Sequence, residues 1–322
     1  MSSPAPSLKL GFVVELEFTL DAYGLLIRSG RAKEVLGLAD IMPVAVEYPY
    51  EVGGRRHYLT VPYIPGSSLK GRARSLLETA LGLPLFTTDG KIYLHTRIVQ
   101  LDIRDEEPYC PVDAVFGTPA IPPNIVADER RFVVECWAPT RAVFRDLFPS
   151  RRYVEGLCRS RGGCEGVQLA DFLEEKWENR IDRVTSTADP RNVMRLRQGV
   201  EFEGGISFLI YDVDVCRKEV CDAHSKIIGE IKEKYRGLPA LYYVNKLIDA
   251  LELVERTYLG ASGTRGYGRV KFRDLKAVMY DVRGEPQWDP KEGSVGSLEE
   301  LRKFLNEKLA AVLGDWARRS CR

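Results

Sequence analysis

At 322 residues the chain can bury a large core, its 44% hydrophobic content is that of an ordinary globular protein, and no apolar run approaches the ~18 residues of a membrane span. A net charge of +1 by itself says nothing about a nucleic-acid partner; the distribution of the charges says more. The first ten residues lack the basic and apolar regions of a signal peptide, and a cytoplasmic protein without a membrane role is expected.

The chain opens on "LKLGFVVELEFTL" (8–20), which places Leu8, Leu10, Phe12, Val14, Leu16, Phe18 and Leu20 on one face; that strict alternation predicts a half-buried strand. "YIPGSSLKGRARSLLETALG" (63–82) predicts a helix over 67–81 with Leu69, Ala73, Leu76, Leu77 and Ala80 as its apolar stripe. Its start is no Walker loop, because Lys70 precedes Gly71 and no hydroxyl follows to hold magnesium. Two readings of this window stay open. In one, Ser67 or Ser68 caps the helix and Lys70 and Arg74 are solvated. In the other, the same N-terminus is an anion site, with Lys70 and Arg74, four apart, gripping adjacent phosphates.

Further on, "TPAIPPN" predicts a loop, "RRFVVECWA" (130–138) a strand, and residues 141–178 broken helix. "VEFEGGISFLIYDVDV" (200–215) predicts strand around a Gly-Gly bulge or turn. Residues 239–258 predict an amphipathic helix with Leu241, Val244, Leu247, Leu251 and Val254 inward. "GASGTRGYGRV" (260–270) is a glycine loop in which Gly263, Gly266 and Gly268 allow close backbone approach. Arg265, Tyr267 and Arg269 interleave charge with an aromatic, a pattern suited to single-stranded nucleic acid. Ser297 and Glu300 form a capping box for a last helix reaching about Arg319. This order fits an α+β fold: a ferredoxin-like or RRM-like antiparallel core with large helical and loop insertions.

Arginine clusters recur along the chain. Residues 141–161 carry six Arg against Asp146 and Glu155, residues 180–197 five Arg against two Asp, and residues 260–273 four basic residues with no acid. Phosphate contacts, solvated surface and ion-pair networks all fit such clusters. Of the seven cysteines, Cys216 and Cys221 lie near His224, a spacing that allows a structural zinc, and Cys158 and Cys164 form a second close pair. The alternatives are buried thiols or disulfides. No cofactor is required by any motif. His57, His95 and His224 lie outside the basic loops, which disfavours histidine general-base chemistry; His57 is expected on a surface hairpin.

Three blocks, "PYIPGSSLKGRARSLLE", "ENRIDRVTSTADPRNVMRLRQGVEFEGGISF" and "GASGTRGYGRVKF", resemble the RAMP superfamily of CRISPR-associated proteins, the middle one the Csm-group backbone subunit of type III-A effector complexes. The resemblance covers about residues 8–275. One RRM-like core over 1–322 is expected, with a lid-like insertion at 25–62, a mixed or helical insertion at 83–180, a thumb-like hairpin at 181–200, where the resemblance puts the family's thumb, and a C-terminal helical extension at 281–322, to which the resemblance adds nothing. The resemblance implies a sequence-nonspecific guide-RNA-binding subunit that stacks with copies of itself beside other effector subunits and meets complementary target RNA. On the thumb, Arg183, Arg191, Arg195 and Arg197 would face RNA around a turn at "TADPRN", with Met194 or Leu196 as an apolar wedge. Arg28 and Arg31 would add phosphate contacts. The chain departs from the family pattern at Arg31, which stands, in ungapped alignment, where the family carries an Asp that supports target cleavage. Glu34 and Asp40 are the nearest acids. A non-catalytic subunit is therefore the leading expectation; the alternatives are an endoribonuclease cutting target RNA in the same complex and a RAMP-type guide-processing endonuclease.

Overall fold

A computed structural model describes residues 8–27, 43–87, 89–99, 102–104, 106–118 and 136–321. Arg28, Arg31, Glu34 and Asp40, and most of the 130–138 strand window, lie outside the described residues. The strands are β1 (Leu10–Tyr23), β2 (Ala45–Val52), β3 (Arg55–Pro62), β4 (Ile98–Val99), β5 (Asp102–Ile103), β6 (Ala142–Phe144), β7 (Phe148–Pro149), β8 (Leu173–Ile181), β9 (Ala188–Leu196), β10 (Val200–Tyr211), β11 (Arg269–Asp281) and β12 (Ser294–Val295). The α-helices are α1 (Gly66–Ala80), α2 (Pro111–Phe116), α3 (Arg151–Ser160), α4 (Glu219–His224), α5 (Ile228–Lys234), α6 (Pro239–Arg256) and α7 (Leu298–Ser320).

The main sheet runs β12-β11-β1-β10-β6, all antiparallel, with β7 also on β10. Taking β1, α1, β6, β10, α6 and β11 in sequence gives β-α-β-β-α-β with spatial order 4-1-3-2, the ferredoxin-like arrangement. The alternation of β1 turns Phe12, Val14, Leu16, Phe18, Leu20 and Ala22 into the core, while Leu8 stays exposed ahead of the strand. The five expected apolar positions of α6 are all buried, as are Leu69, Ala73 and Leu77 of α1, and the two helices pack together on that face. Ser297 caps α7 by accepting from the Glu300 N–H.

Several expectations change. Gly204 and Gly205 form neither bulge nor turn but run on in register opposite Phe18 and Glu17. A Cβ on Gly204 would meet the Leu147 side chain at 2.4 Å, and one on Gly205 the Leu16 carbonyl at 2.9 Å, so close packing explains the pair. The 141–178 stretch opens with β6 and β7, holds a single α-helix, α3, and after two 3-10 turns runs into β8. The lid-like window contributes the β2–β3 hairpin, which carries His57 as expected, though half-buried beside Glu165 rather than at the surface. The thumb-like hairpin exists, but it starts at Leu173 and turns at 182–187. Asp182 makes that turn by accepting from the Val184 and Thr185 N–H groups at 2.8 Å. Pro190 sits within β9, which pairs on one side only and so loses no ladder bond to the missing N–H.

Candidate nucleic-acid interface

The open face of the sheet, where a nucleic acid would lie on an aromatic platform, is covered by paired charges. Direct pairing puts Glu15, Glu17 and Asp21 of β1 on one face with Glu201 and Glu203 of β10. Arg145, Lys276, Arg273 and Arg152 answer Glu15, Glu17, Asp21 and Glu201, so the cations there are already spent on carboxylates. Its charges are paired within the face, so it offers a phosphate backbone little free positive charge.

A different region gathers uncompensated positive charge. The inner face of the β8–β9 hairpin carries the cross-strand pairs Glu174/Arg195, Lys176/Val193, Glu178/Arg191 and Arg180/Asp189. The glycine loop is seated on it. Tyr267, 2% exposed, packs with Leu26 and Val193, and its ring lies 3.9 Å from Lys176 Nζ and 5.2 Å from Arg195 Cζ. Lys176 also donates to the Arg265 carbonyl at 3.0 Å.

At the centre is Glu178. Arg191 Nη2 lies 2.8 Å from its carboxylate, Arg265 Nη1 3.5 Å and Lys176 Nζ 3.8 Å. Burial alone would raise the Glu178 carboxyl, but Tyr267, Arg191 and Lys176 outweigh it and hold the group below the usual carboxylate range. Burial and Glu178 push the Tyr267 phenol up to about 12. Three cations thus share one carboxylate, leaving two charges for an outside anion. Two contiguous clefts of about 380 and 460 Å³ open here, both lined by Glu178, Arg191 and Arg265. Arg183, at the exposed tip, adds a cation with no ion pair among the described residues, and Arg180 is exposed beside Asp189. The other hairpin face is mixed: Trp177, 65% exposed, and Ile181 share it with Glu175, Asn179 and Asn192.

The sequence-derived residues divide accordingly. Arg183, Arg191 and Arg265 come together. Arg195 is nearby, but its guanidinium is bound to Glu174 at 2.7 Å and stands against Tyr267. Arg197 reaches the Leu173 carbonyl at the hairpin base, and Arg269 leans toward Tyr23, away from the groove. Tyr267 is no stacking platform, because its ring is buried as the loop's anchor. Leu196 is buried too and offers no wedge; Met194 is half-buried. The glycines serve the loop's own packing. A Cβ on Gly263 would strike the Tyr258 ring and one on Gly268 the Leu259 carbonyl, whereas Gly266, at φ +80°, faces open space.

The α1 window also resolves differently from either reading. Neither Ser67 nor Ser68 caps the helix; the Gly66 N–H donates to the Asp146 carboxylate at 2.7 Å, so an internal anion occupies that end. Arg74 is a structural residue: it donates to Glu78 (2.7 Å) and to the Gly117 (2.8 Å) and His95 (2.5 Å) carbonyls. Lys70 is half-buried, with no carboxylate partner among the described residues, and burial and Arg74 hold its ammonium below the ordinary lysine range. Sequence reasoning missed Arg72, which stacks on Tyr258 at 3.9 Å and donates to its carbonyl, tying α1 to the glycine loop.

The zinc expectation fails on connectivity. Cys216 is bonded to Cys321, Cys221 to Cys136, and Cys158 to Cys164, while His224 Nδ1 meets the Val220 carbonyl. Among the described residues, His95, Cys110 and Asp113 are close enough to offer three ligand atoms to an ion, all buried. Arg97 lies 2.9 Å from the Asp113 carboxylate and Arg74 3.7 Å, so that acid is counter-charged by the protein itself.

A family model described as the RAMP superfamily matches residues 44–271. A protein of Methanothermobacter thermautotrophicus named CRISPR system Cms endoribonuclease Csm3 is 30% identical over 78% of this chain and 85% of its own length. One of the same name from Streptococcus thermophilus is 29% identical over 69% of this chain and 76% of its own. A solved Csm3–Csm4 subcomplex of the type III-A CRISPR-Cas interference complex aligns over 93% of this chain and 97% of that one, at 21% identity and a TM-score of 0.44.

Proposed function

This chain belongs to the RAMP superfamily, among relatives of Csm3, and from that premise we propose that it is the RNA-binding backbone subunit of a type III CRISPR effector complex. In this reading it holds guide RNA by its phosphates, stacks with further copies of itself along that RNA, and meets target RNA and other effector subunits in the cytoplasm. The supporting observation is the groove in which Lys176, Arg191 and Arg265 share the single carboxylate of Glu178. Two unanswered charges on this hairpin fit adjacent phosphates, which are alike in every sequence. No base-reading pocket is needed by a protein that must accept many guides. The sheet face, whose cations are paired with carboxylates, competes less for RNA than this groove.

The test is fluorescence anisotropy with several unrelated single-stranded RNAs over a salt series. Affinities within a few-fold of each other, falling steeply with salt, are expected. A strong preference for one sequence, or binding indifferent to salt, overturns the reading.

A second reading, target-RNA cleavage within the same assembly, draws support from the name its relatives carry. Against it stands Arg31, which stays protonated and can neither accept a proton nor bind a metal. R31D is the discriminating variant. Magnesium-dependent cuts that appear only in R31D favour a backbone subunit that has lost cleavage; cuts already present in the unaltered chain favour the enzyme.

A further inference from the structure

The two long-range disulfides converge. Cys216, just past the end of β10, is bonded to Cys321 at the end of α7, and Cys221 in α4 to Cys136, bridging 105 and 85 residues. The segment that carries both, residues 216–226, is a crossroads. Asp222 accepts from the Tyr109 hydroxyl at 2.8 Å and pairs with Arg217 and Lys232, and Glu107 accepts from Ser225 and from the Lys226 N–H. Both covalent ties therefore join this crossroads to distant parts of the chain.

What Cys321 holds is α7. That helix lies beyond the residues matched by the family model. It buries Leu298, Leu301, Leu305, Leu309, Leu313 and Trp316. Trp316 packs edge-on against Phe12 at 5.2 Å and fills the space where Gly11 lacks a Cβ. The last turn is otherwise weakly held: Arg318, Arg319 and Ser320 are exposed.

The three bonds differ in access. Cys136, Cys158, Cys164 and Cys221 are all buried, whereas Cys321 is exposed and Cys216 half-buried. Thiol–disulfide exchange requires a thiolate to reach one sulfur, so exposure sets the order of reaction. We infer that Cys216–Cys321 is a redox-labile clasp on the C-terminal helix, and that the other two bonds are shielded cross-links of a chain that folds and works oxidised. Opening the clasp takes a dithiol. Its thiolate attacks the Cys321 sulfur and expels the Cys216 thiolate. The dithiol's second thiolate then displaces Cys321, so the reagent leaves as a disulfide and the two protein thiolates take up two protons. Disulfides persist inside cells mainly in hyperthermophiles, and a chain carrying three of them is built for such a cytoplasm or for an equally oxidising one.

The experiment titrates the purified full chain with dithiothreitol, traps thiols with iodoacetamide and reads each cysteine by peptide mass spectrometry. Without reductant and after denaturation, Cys110 alone should be labelled. At low reductant under native conditions, Cys216 and Cys321 should appear together, ahead of the four buried cysteines. Melting should fall by on the order of 5–10 °C in the same step and recover on reoxidation. C321S should show that lower melting temperature without reductant. Seven labelled cysteines without reductant, labelling of the buried pairs first, or a C321S variant melting like the unaltered chain would each overturn the inference.

Discussion

The charge count around Glu178 makes a prediction of two opposite signs. Lys176, Arg191 and Arg265 surround one carboxylate, so the cluster offers about two charges to an incoming RNA. For a single strand the slope of log affinity against log salt is about −0.7 per neutralised phosphate, so the cluster supplies about 1.4 of the slope. R191A with R265A removes both charges. Between 50 and 200 mM salt, a fourfold range, the loss of affinity should then shrink by about 4 to the power 1.4, or roughly sevenfold. E178Q does the reverse: it frees a third cation, and the loss over the same range should grow by about 2.6-fold. The assay is anisotropy of a labelled unstructured RNA at five or more salt concentrations, with circular dichroism to show that each variant is folded. A slope that moves the same way in both variants, or in neither, refutes the assignment of these residues to phosphate.

Lys70 and Arg74, four apart on α1, should separate cleanly. K70A is expected to weaken RNA binding with its melting temperature unchanged, whereas R74A strands the buried Glu78 and should cost about 2–4 kcal/mol in chemical denaturation. Glu178 and Asp171 are both held below their usual range, Asp171 by Gln168 and Arg161 against an opposing effect of burial. A carboxyl depressed in the folded state stabilises above its unfolded value, near pH 4, and that stability goes as pH falls through the folded value. Thermal melts between pH 6 and 2 should show the decline, and E178Q should flatten part of it. G268A, with a Cβ 2.0 Å from the Leu259 carbonyl, should unseat the glycine loop, while G266A, with open space around it, should cost only about 1 kcal/mol, as melting curves can resolve.

Much of the fold was legible because long elements carry strong periodicity. The alternation of β1 and the stripe of α6 follow from one hydrophobic face against one core, and few competing arrangements bury the same residues. The Ser297 cap was equally local, although the Glu300 side chain accepts from the Gly296 N–H and does not close the capping box. The errors cluster where a residue type has two physical uses. Pro190 read as turn chemistry but occupies a strand edge that needs no N–H from it. Gly204 and Gly205 read as a bulge but make room for Leu147 and for β1. Tyr267 read as an exposed aromatic between arginines and is instead the buried peg that fixes the loop to the hairpin. Arg74 and Lys70 look equivalent in sequence, and only the distant His95 and Gly117 carbonyls make one of them structural. The disulfides join residues 105 and 85 positions apart, and spacing along the chain cannot rank such pairings. Glu178 was unremarked because its importance lies in how many cations surround it, a property of the folded hairpin alone.

The central claim is that RNA organises copies of this chain through its backbone. Light scattering after size exclusion, on mixtures with unrelated single-stranded RNAs of increasing length at low salt, tests it most directly. Copy number rising in even steps with RNA length, whatever the sequence, is the predicted result. One copy per RNA at every length, or assembly that depends on a particular sequence, would contradict it.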